Sequence, residues 1–134
     1  GGASAGFLPM SQREVPLDFQ SLKAAGSMLG SAGVVVLNSS VDMAKAARNQ
    51  AVFFEDETCG QCAPCRIGCR VIRRDVDRYL ETGDPSALEQ IEDLSWEMEE
   101  GSICGLGIAA PLSVVSAIKH FPESFGKRPA GGQA

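Results

Sequence analysis

The chain has 134 residues, of which 44% are hydrophobic and 22% charged, and its formal net charge is −5. This length and apolar content suit one domain with an additional segment. The acidic balance leaves no basic face to neutralise phosphates, so we expect no nucleic-acid binding. The longest uncharged stretch, between Gly101 and Lys119, is interrupted by glycine, proline and serine, and no signal peptide is visible. We therefore expect no membrane insertion and a cytoplasmic location.

The first forty residues contain one strand-like segment. The run Val34-Val35-Val36-Leu37 predicts a β-strand, and a short helix is predicted from about Asp18 to Ala25. A single strand has no partner for its backbone hydrogen bonds. Because the chain also begins with a glycine-rich loop, we expect it to be the end of a longer polypeptide.

From Ser40 onward the apolar residues follow helical periodicity and predict four helices with short connections. Ser39 or Ser40 is expected to cap the first helix, which ends just before the first cysteine. The other three are expected over residues 64–82, 84–101 and 111–121. The predicted fold is thus a small, mainly α-helical four-helix bundle over residues 41–125, followed by a loose, flexible tail over residues 126–134.

The helical pattern also predicts which side chains face the core. Tyr79 and Trp96 are expected to pack inside the bundle, while the carboxylates of the third helix form a solvated face. The fourth helix is expected to turn its larger apolar residues inward, namely Leu112, Val115, Ile118 and Phe121.

Four of the five cysteines lie in one C-x2-C-x2-C-x3-C run, Cys59, Cys62, Cys65 and Cys69, and the fifth is Cys104. Thiols this crowded cannot pair off as good disulfides, but their sulfurs can converge on one inorganic group. Zinc sites usually take a C-x2-C pair of cysteines from each of two segments. Three closely spaced cysteines with one remote cysteine are instead typical of a [4Fe–4S] cluster. The cluster is favoured; a structural zinc-binding interaction domain and a freestanding single-cluster carrier are the alternatives.

Cys69 and Cys104 compete for the fourth ligand position. Cys69 lies one helical turn after Cys65, on a helix that leads away from the loop. Cys104 lies at a loop-to-helix junction among three glycines, which let the backbone approach a cluster closely. We therefore predict Cys59, Cys62, Cys65 and Cys104 as the cluster ligands, and Cys69 as a neighbouring or core residue.

The segments around these cysteines resemble two motifs of one known family. Residues 57–68, E-T-C-G-Q-C-A-P-C-R-I-G, resemble the E-S-C-G-x-C-x-P-C-R-x-G signature of the NADH-binding flavoprotein subunits of respiratory complex I, NAD-reducing hydrogenases and NAD-dependent formate dehydrogenases. Residues 102–107, S-I-C-G-L-G, are similar to the family segment that holds the fourth cysteine. Residues 1–40 are similar to the end of the ubiquitin-like (β-grasp) module that precedes the cluster domain.

The resemblance implies a function in electron transfer. In such enzymes one [4Fe–4S] cluster exchanges single electrons with FMN, which exchanges a hydride with NAD. The FMN and NADH site belongs to the family's N-terminal part, so these two cofactors are implied for the complete subunit and not for this segment. The implied partners are that FMN- and NADH-binding part and other iron–sulfur subunits of a multisubunit complex. The His-Phe-Pro-Glu-Ser-Phe segment leans toward the formate dehydrogenase or hydrogenase branch.

Overall fold

The computed structural model describes residues 1–129, and over this range the chain is mainly α-helical, as predicted. The helices are α1 (Phe19–Ala24), α2 (Met43–Glu57), α3 (Ala63–Thr82), α4 (Ile91–Gly101), α5 (Gly105–Ala109) and α6 (Leu112–His120). Short 3-10 turns lie at Gly2–Ser4, Met10–Gln12, Pro85–Leu88 and Pro122–Ser124. Within residues 1–129 no helix is both long enough and apolar enough to cross a bilayer.

The four predicted helices correspond to α2, α3, α4 and α6, but the cap of α2 is different. The carboxylate of Asp42 accepts hydrogen bonds from the N–H groups of Ala44 and Lys45 at 2.9 and 3.3 Å. The predicted cap at Ser39 or Ser40 was therefore wrong, because an aspartate nearer the helix supplies the acceptor. Ser40 instead donates its hydroxyl to the Asn38 side chain at 2.6 Å.

The third predicted helix begins later than expected. The Asp84 side chain does accept an N–H hydrogen bond, from Ser86, but the turn that it caps, Pro85–Leu88, is a 3-10 helix. The α-helix proper, α4, starts only at Ile91. The fold also adds the short helix α5 within the predicted connection between α4 and α6.

The core forms around α3, which packs against α2 on one side and against α4 and α5 on the other, while α2 also packs against α6. Alanines on α2 allow these helices to approach closely. The most deeply buried side chains of the core are Ala44, Ala47, Ile72, Val76, Tyr79, Ile91, Met98, Val114 and Ala117.

The two large aromatic residues behave differently. Tyr79 is fully buried, as predicted, but Trp96 is 66% exposed, so the prediction that it packs in the bundle was wrong. Helix α4 turns Ile91 and Met98 to the core, which leaves Trp96 on the outer face among the carboxylates. Glu92 and the other predicted outward carboxylates are exposed, as expected of a solvated face.

Helix α6 is rotated relative to its predicted orientation. The four larger apolar residues expected inside, Leu112, Val115, Ile118 and Phe121, are only partly buried. The buried residues are the small ones, Ser113, Val114, Ser116 and Ala117. Helix α6 packs against α2 and also against the N-terminal segment, so small side chains fit best on its buried surface. In the second contact the Phe7 N–H donates to Ser116 Oγ at 2.8 Å.

The predicted strand at Val34–Leu37 is absent from the structure. These residues are irregular and exposed, Val36 by 89%, and residues 1–129 contain no strand that could pair with them. A strand exists only where another backbone completes its hydrogen bonds, so apolar β-branched residues alone did not form one. The similarity of residues 1–40 to a ubiquitin-like module stays a prediction.

The first residues of the tail, predicted to be flexible over residues 126–134, make contacts with the helices. The Arg128 N–H donates to Gly83 O at 2.9 Å, and its guanidinium pairs with the Asp42 carboxylate at 2.7 Å. The segment up to residue 129 is thus tied to the ends of α2 and α3. The remainder of the tail, residues 130–134, lies outside the described residues.

Candidate metal centre

The cysteine run occupies the loop between α2 and α3 and the first turns of α3. Cys59 is exposed in the loop, Cys62 occupies the N-cap position of α3, and Cys65 is buried in the first turn of the helix. The side chains best suited to cap a helix are Ser, Thr, Asp and Asn. Here a thiol occupies the position next to the unpaired N–H groups and the positive end of the helix.

The loop itself is fixed by contacts from both flanking helices. Arg66 Nη1 donates to Gly60 O at 2.6 Å, and the Gly60 N–H donates to Thr58 Oγ1 at 3.3 Å. Thr58 Oγ1 also lies 3.1 Å from Cys65 Sγ. Arg66, which directly follows Cys65, thus holds the loop through a backbone carbonyl.

The second cysteine segment, between α4 and α5, lies against the first. A Cβ atom added at Gly101 would come 2.8 Å from Pro64 Cγ, and one added at Gly107 would come 2.9 Å from Cys65 Cβ and overlap Ser102 Oγ. These glycines therefore permit a backbone approach that no larger residue allows. Cys104, exposed at the N-terminus of α5, is carried to the end of the bundle that holds the cysteine run.

Main-chain N–H groups from both segments act on Cys62. The N–H of Ile103, the neighbour of Cys104, is the largest influence and lowers the pKa of the Cys62 thiol, and the N–H of Cys65 acts in the same direction. Hydrogen bonds to a sulfur favour its charged form, which is the form that binds metals. This influence of Ile103 agrees with the close packing of Gly107 on Cys65, which brings the two cysteine segments together.

Cys69 has the opposite environment. It is only 2% exposed, and its Sγ lies 3.9 Å from Cys65 Sγ. Burial, followed by the neighbouring charge of Cys65, raises the pKa of Cys69 to about 12. Cys69 thus lies among the core side chains of α3, and its role as a neighbouring or core residue stays a prediction.

The structure brings the cysteine segments together without arranging the thiols as a finished coordination shell. Among residues 1–129 no three His, Cys, Asp or Glu side chains are close enough together to hold a metal ion. Ser102 Oγ is nevertheless buried at this end, beside Gly107, with no hydrogen-bond partner in the described part of the chain. Such a hydroxyl costs about 1–3 kcal/mol unless an acceptor is supplied, and a thiolate or an inorganic sulfide is one. The residues present therefore fit a cluster held by cysteines.

Two residues at this end were not singled out from the sequence. Thr58 and Ser102 both place a hydroxyl beside Cys65 or the glycines that pack on it. The available signal was position, since each directly precedes or nearly precedes a cysteine of the motif. Hydroxyl residues are common in loops, so position alone did not separate a sulfur contact from an ordinary turn.

A helical bundle whose two cysteine-bearing segments meet at one end, with N–H groups directed at a thiol, belongs to the class of domains that hold an iron–sulfur cluster. A family model described as the NADH-ubiquinone oxidoreductase-F iron-sulfur binding region matches residues 45–128. This chain belongs to that family, whose members bind a [4Fe–4S] cluster.

Relatives and a solved structure agree with the family. The chain is 46% identical over 129 residues to an NADH-quinone oxidoreductase subunit of Rhizobium meliloti (strain 1021), covering 93% of this chain and 30% of the relative. It is 40% identical over 131 residues to an NADH-quinone oxidoreductase subunit of Rickettsia bellii (strain OSU 85-389), covering 96% of this chain and 31% of the relative. The chain thus spans less than a third of these curated relatives.

The fold is similar to a solved one. A crystal structure of an NAD+-reducing [NiFe]-hydrogenase in the H2-reduced state superposes with a TM-score of 0.83 at 26% sequence identity. The match covers 99% of this chain and 23% of the hydrogenase chain. The helical arrangement described above is therefore shared with part of a larger redox protein.

Proposed function

We propose that this chain is the electron-transfer segment of an NAD-linked flavoprotein oxidoreductase. Cys59, Cys62, Cys65 and Cys104 hold one [4Fe–4S] cluster, which supplies one-electron redox chemistry when bound. The cluster passes electrons between FMN, in another part of the same subunit, and further iron–sulfur centres. The observation that carries the proposal is the close packing of Gly107 on Cys65, where an added Cβ would lie 2.9 Å from Cys65 Cβ, because it unites the motif cysteines with the segment of Cys104.

The chain's own residues prepare the site for an anionic group. The N-terminus of α3 directs its unpaired N–H groups and positive end at the cysteine loop. Arg66 holds the loop by its bond to Gly60 O. Cys69 is enclosed on the buried face of α3, whereas Cys104 is exposed at the same end of the bundle, and we assign Cys104 as the fourth ligand.

The relatives support the proposal for the larger assembly. NADH-quinone oxidoreductase subunits and an NAD+-reducing hydrogenase support an oxidoreductase with an NAD site, with partner iron–sulfur subunits, on the cytoplasmic side of a membrane-associated complex. They favour the quinone oxidoreductase and hydrogenase branches. The leaning toward formate dehydrogenase, drawn from the segment around His120, stays a prediction.

The test is to purify the chain anaerobically, measure its bound metals and visible absorption, and record its EPR spectrum after dithionite reduction. We expect a brown protein with about four iron ions per chain and the reduced-state signal of one cubane. A colourless protein with one tightly bound zinc ion would overturn the proposal in favour of a structural interaction domain.

A further inference from the structure

We propose that the Thr58 hydroxyl donates a hydrogen bond to the Cys65 sulfur and thereby raises the reduction potential of the cluster that Cys65 holds. This inference rests on the proposed function in one respect, that Cys65 is a cluster ligand. Its own content is the role of Thr58, a residue that touches the ligand sulfur and is itself not a ligand.

The direction of the hydrogen bond follows from the charge of the sulfur. Thr58 Oγ1 lies 3.1 Å from Cys65 Sγ, a distance at which either atom of two neutral groups could donate. A cysteine that binds iron is a thiolate and has no proton to give. Within this pair of atoms the threonine hydroxyl is therefore the donor. The Gly60 N–H donates to the same oxygen at 3.3 Å and occupies a lone pair, which leaves the hydroxyl proton for the sulfur.

The position of Thr58 is fixed on three sides. Its N–H donates to Phe54 O at 3.1 Å and closes the last turn of α2. The Gly60 contact fixes its oxygen, and Gly60 is in turn held by Arg66. Threonine is also stiff about its first side-chain torsion, so the hydroxyl is oriented before a cluster arrives.

The consequence for the potential follows from electrostatics. Reduction adds negative charge to the iron–sulfur core, and a donor hydrogen bond to a ligand sulfur stabilises the more negative state. Cys65 is only 4% exposed, and in such a poorly solvated place a single hydrogen bond has a larger effect than at the surface.

The experiment measures the midpoint potential by EPR-monitored redox titration of the full chain loaded with its cluster. Thr58→Val keeps the shape and removes the hydroxyl, so we expect a lower midpoint potential at unchanged iron content. Thr58→Ser keeps the hydroxyl and should restore the potential to near the wild-type value. Thr82→Val is the matched control, because the Thr82 hydroxyl donates to Arg78 O at the far end of α3 and its loss should shift nothing.

The outcomes separate the two proposals. A wild-type chain that takes up no iron overturns the proposed function and this inference with it. A loaded Thr58→Val chain with the wild-type potential overturns this inference alone, as does a Thr58→Ser chain that shifts like the valine variant.

A second measurement covers the case in which Thr58→Val fails to load. In the wild-type, Thr58→Ser and Ser102→Ala proteins transferred to D2O, pulsed ENDOR on the reduced cluster should detect a coupled deuteron that exchanges at once, since a hydroxyl exchanges far faster than a buried amide. Its persistence in Ser102→Ala distinguishes the Thr58 hydroxyl from the buried Ser102 hydroxyl at the same end. The absence of such a deuteron would contradict the proposed hydrogen bond.

Discussion

The two ends of α3 differ in the groups that satisfy their polar side chains. At its C-terminal end the Tyr79 hydroxyl lies 3.0 Å from Ser124 O and 2.8 Å from Gly126 O, and its ring stacks on Phe125 at 5.7 Å. The Arg128 guanidinium lies 5.4 Å from the centre of the Tyr79 ring. Every polar group named here finds a protein partner, so this end is closed by the chain itself.

The N-terminal end of α3 is arranged differently. Cys59 and Cys104 are exposed, and the two cysteine segments meet through close backbone packing and through N–H groups directed at sulfur. The buried Ser102 hydroxyl has no acceptor among the described residues. The Tyr79 end is thus closed by side chains of this chain, whereas the cysteine end presents thiols and a buried hydroxyl to a bound group. We expect the cluster to stabilise that end when it binds.

The largest effect should come from removing a ligand. Cys104→Ser should lose the cluster as completely as Cys62→Ser, because either change removes one of four thiolates. Cys69→Ser should keep it, since Cys69 lies outside the proposed ligand set and is enclosed on α3. Iron and sulfide content per chain measure all three.

The contrary pattern is equally definite. A Cys69→Ser chain without iron, alongside a Cys104→Ser chain that retains it, would show that the fourth ligand lies on α3. In that case all four ligands would come from the loop before α3 and its first two turns, and the segment of Cys104 would not contribute a ligand.

The next effect concerns the packing between the two cysteine segments. Gly107→Ala places a methyl group 2.9 Å from Cys65 Cβ and against Ser102 Oγ, and such overpacking costs about 1–3 kcal/mol of the free energy of unfolding. Gly105→Ala is the control, because nothing lies within 4 Å of its added methyl group and alanine favours a helix. Urea unfolding of the loaded proteins compares them. Equal stabilities would show that the segments are not tightly packed.

The smallest effect should come from the closed end. Asp42→Asn retains a capping oxygen for α2 but removes the charge that pairs with Arg128, which should cost about 1 kcal/mol at neutral pH. Burial of the Asp42 carboxyl opposes its ionisation, but hydrogen bonds from Arg128 and from the Lys45 N–H outweigh it and lower the pKa of Asp42.

The pH dependence gives this prediction a sign. A carboxyl whose pKa is lower in the folded state stabilises the protein above its unfolded pKa of about 3.9 and loses that effect as the pH falls through the folded value. The difference in unfolding free energy between the wild type and Asp42→Asn should therefore be constant near neutral pH and shrink below about pH 4. Urea unfolding across this range checks it, and a difference that grew on acidification would refute the pairing.

The sequence predicted the helices well because their signals are local. Gly83 has a φ of 69° and ends α3 where expected, and the buried residues Ala44, Ala47, Ala51 and Phe54 of α2 recur every three or four positions. The strand at Val34–Leu37 and the burial of Trp96 were wrong because both depend on a distant neighbour that apolar character alone does not supply.

At the site, too, features with a local sequence signal could be predicted and features created by tertiary contacts could not. The cysteine spacing pointed to the ligand set before any fold was known, and that set stays a prediction. The contacts of Thr58 and Arg128 join residues that are not helical neighbours, Thr58 with Cys65 and Arg128 with Asp42. Such pairs are created by tertiary packing and have no periodic signature in the sequence.

The length of α3 has a thermodynamic consequence. Cys65 and Tyr79 lie on the same buried face of this helix, fourteen positions apart, which at ~1.5 Å per residue separates them by about 21 Å. Sites farther apart than about 10 Å that share no partner have additive effects on stability. Changes at the cysteine end and at the Arg128 end should therefore combine with a coupling energy near zero, so that each end can be altered without repercussion on the other.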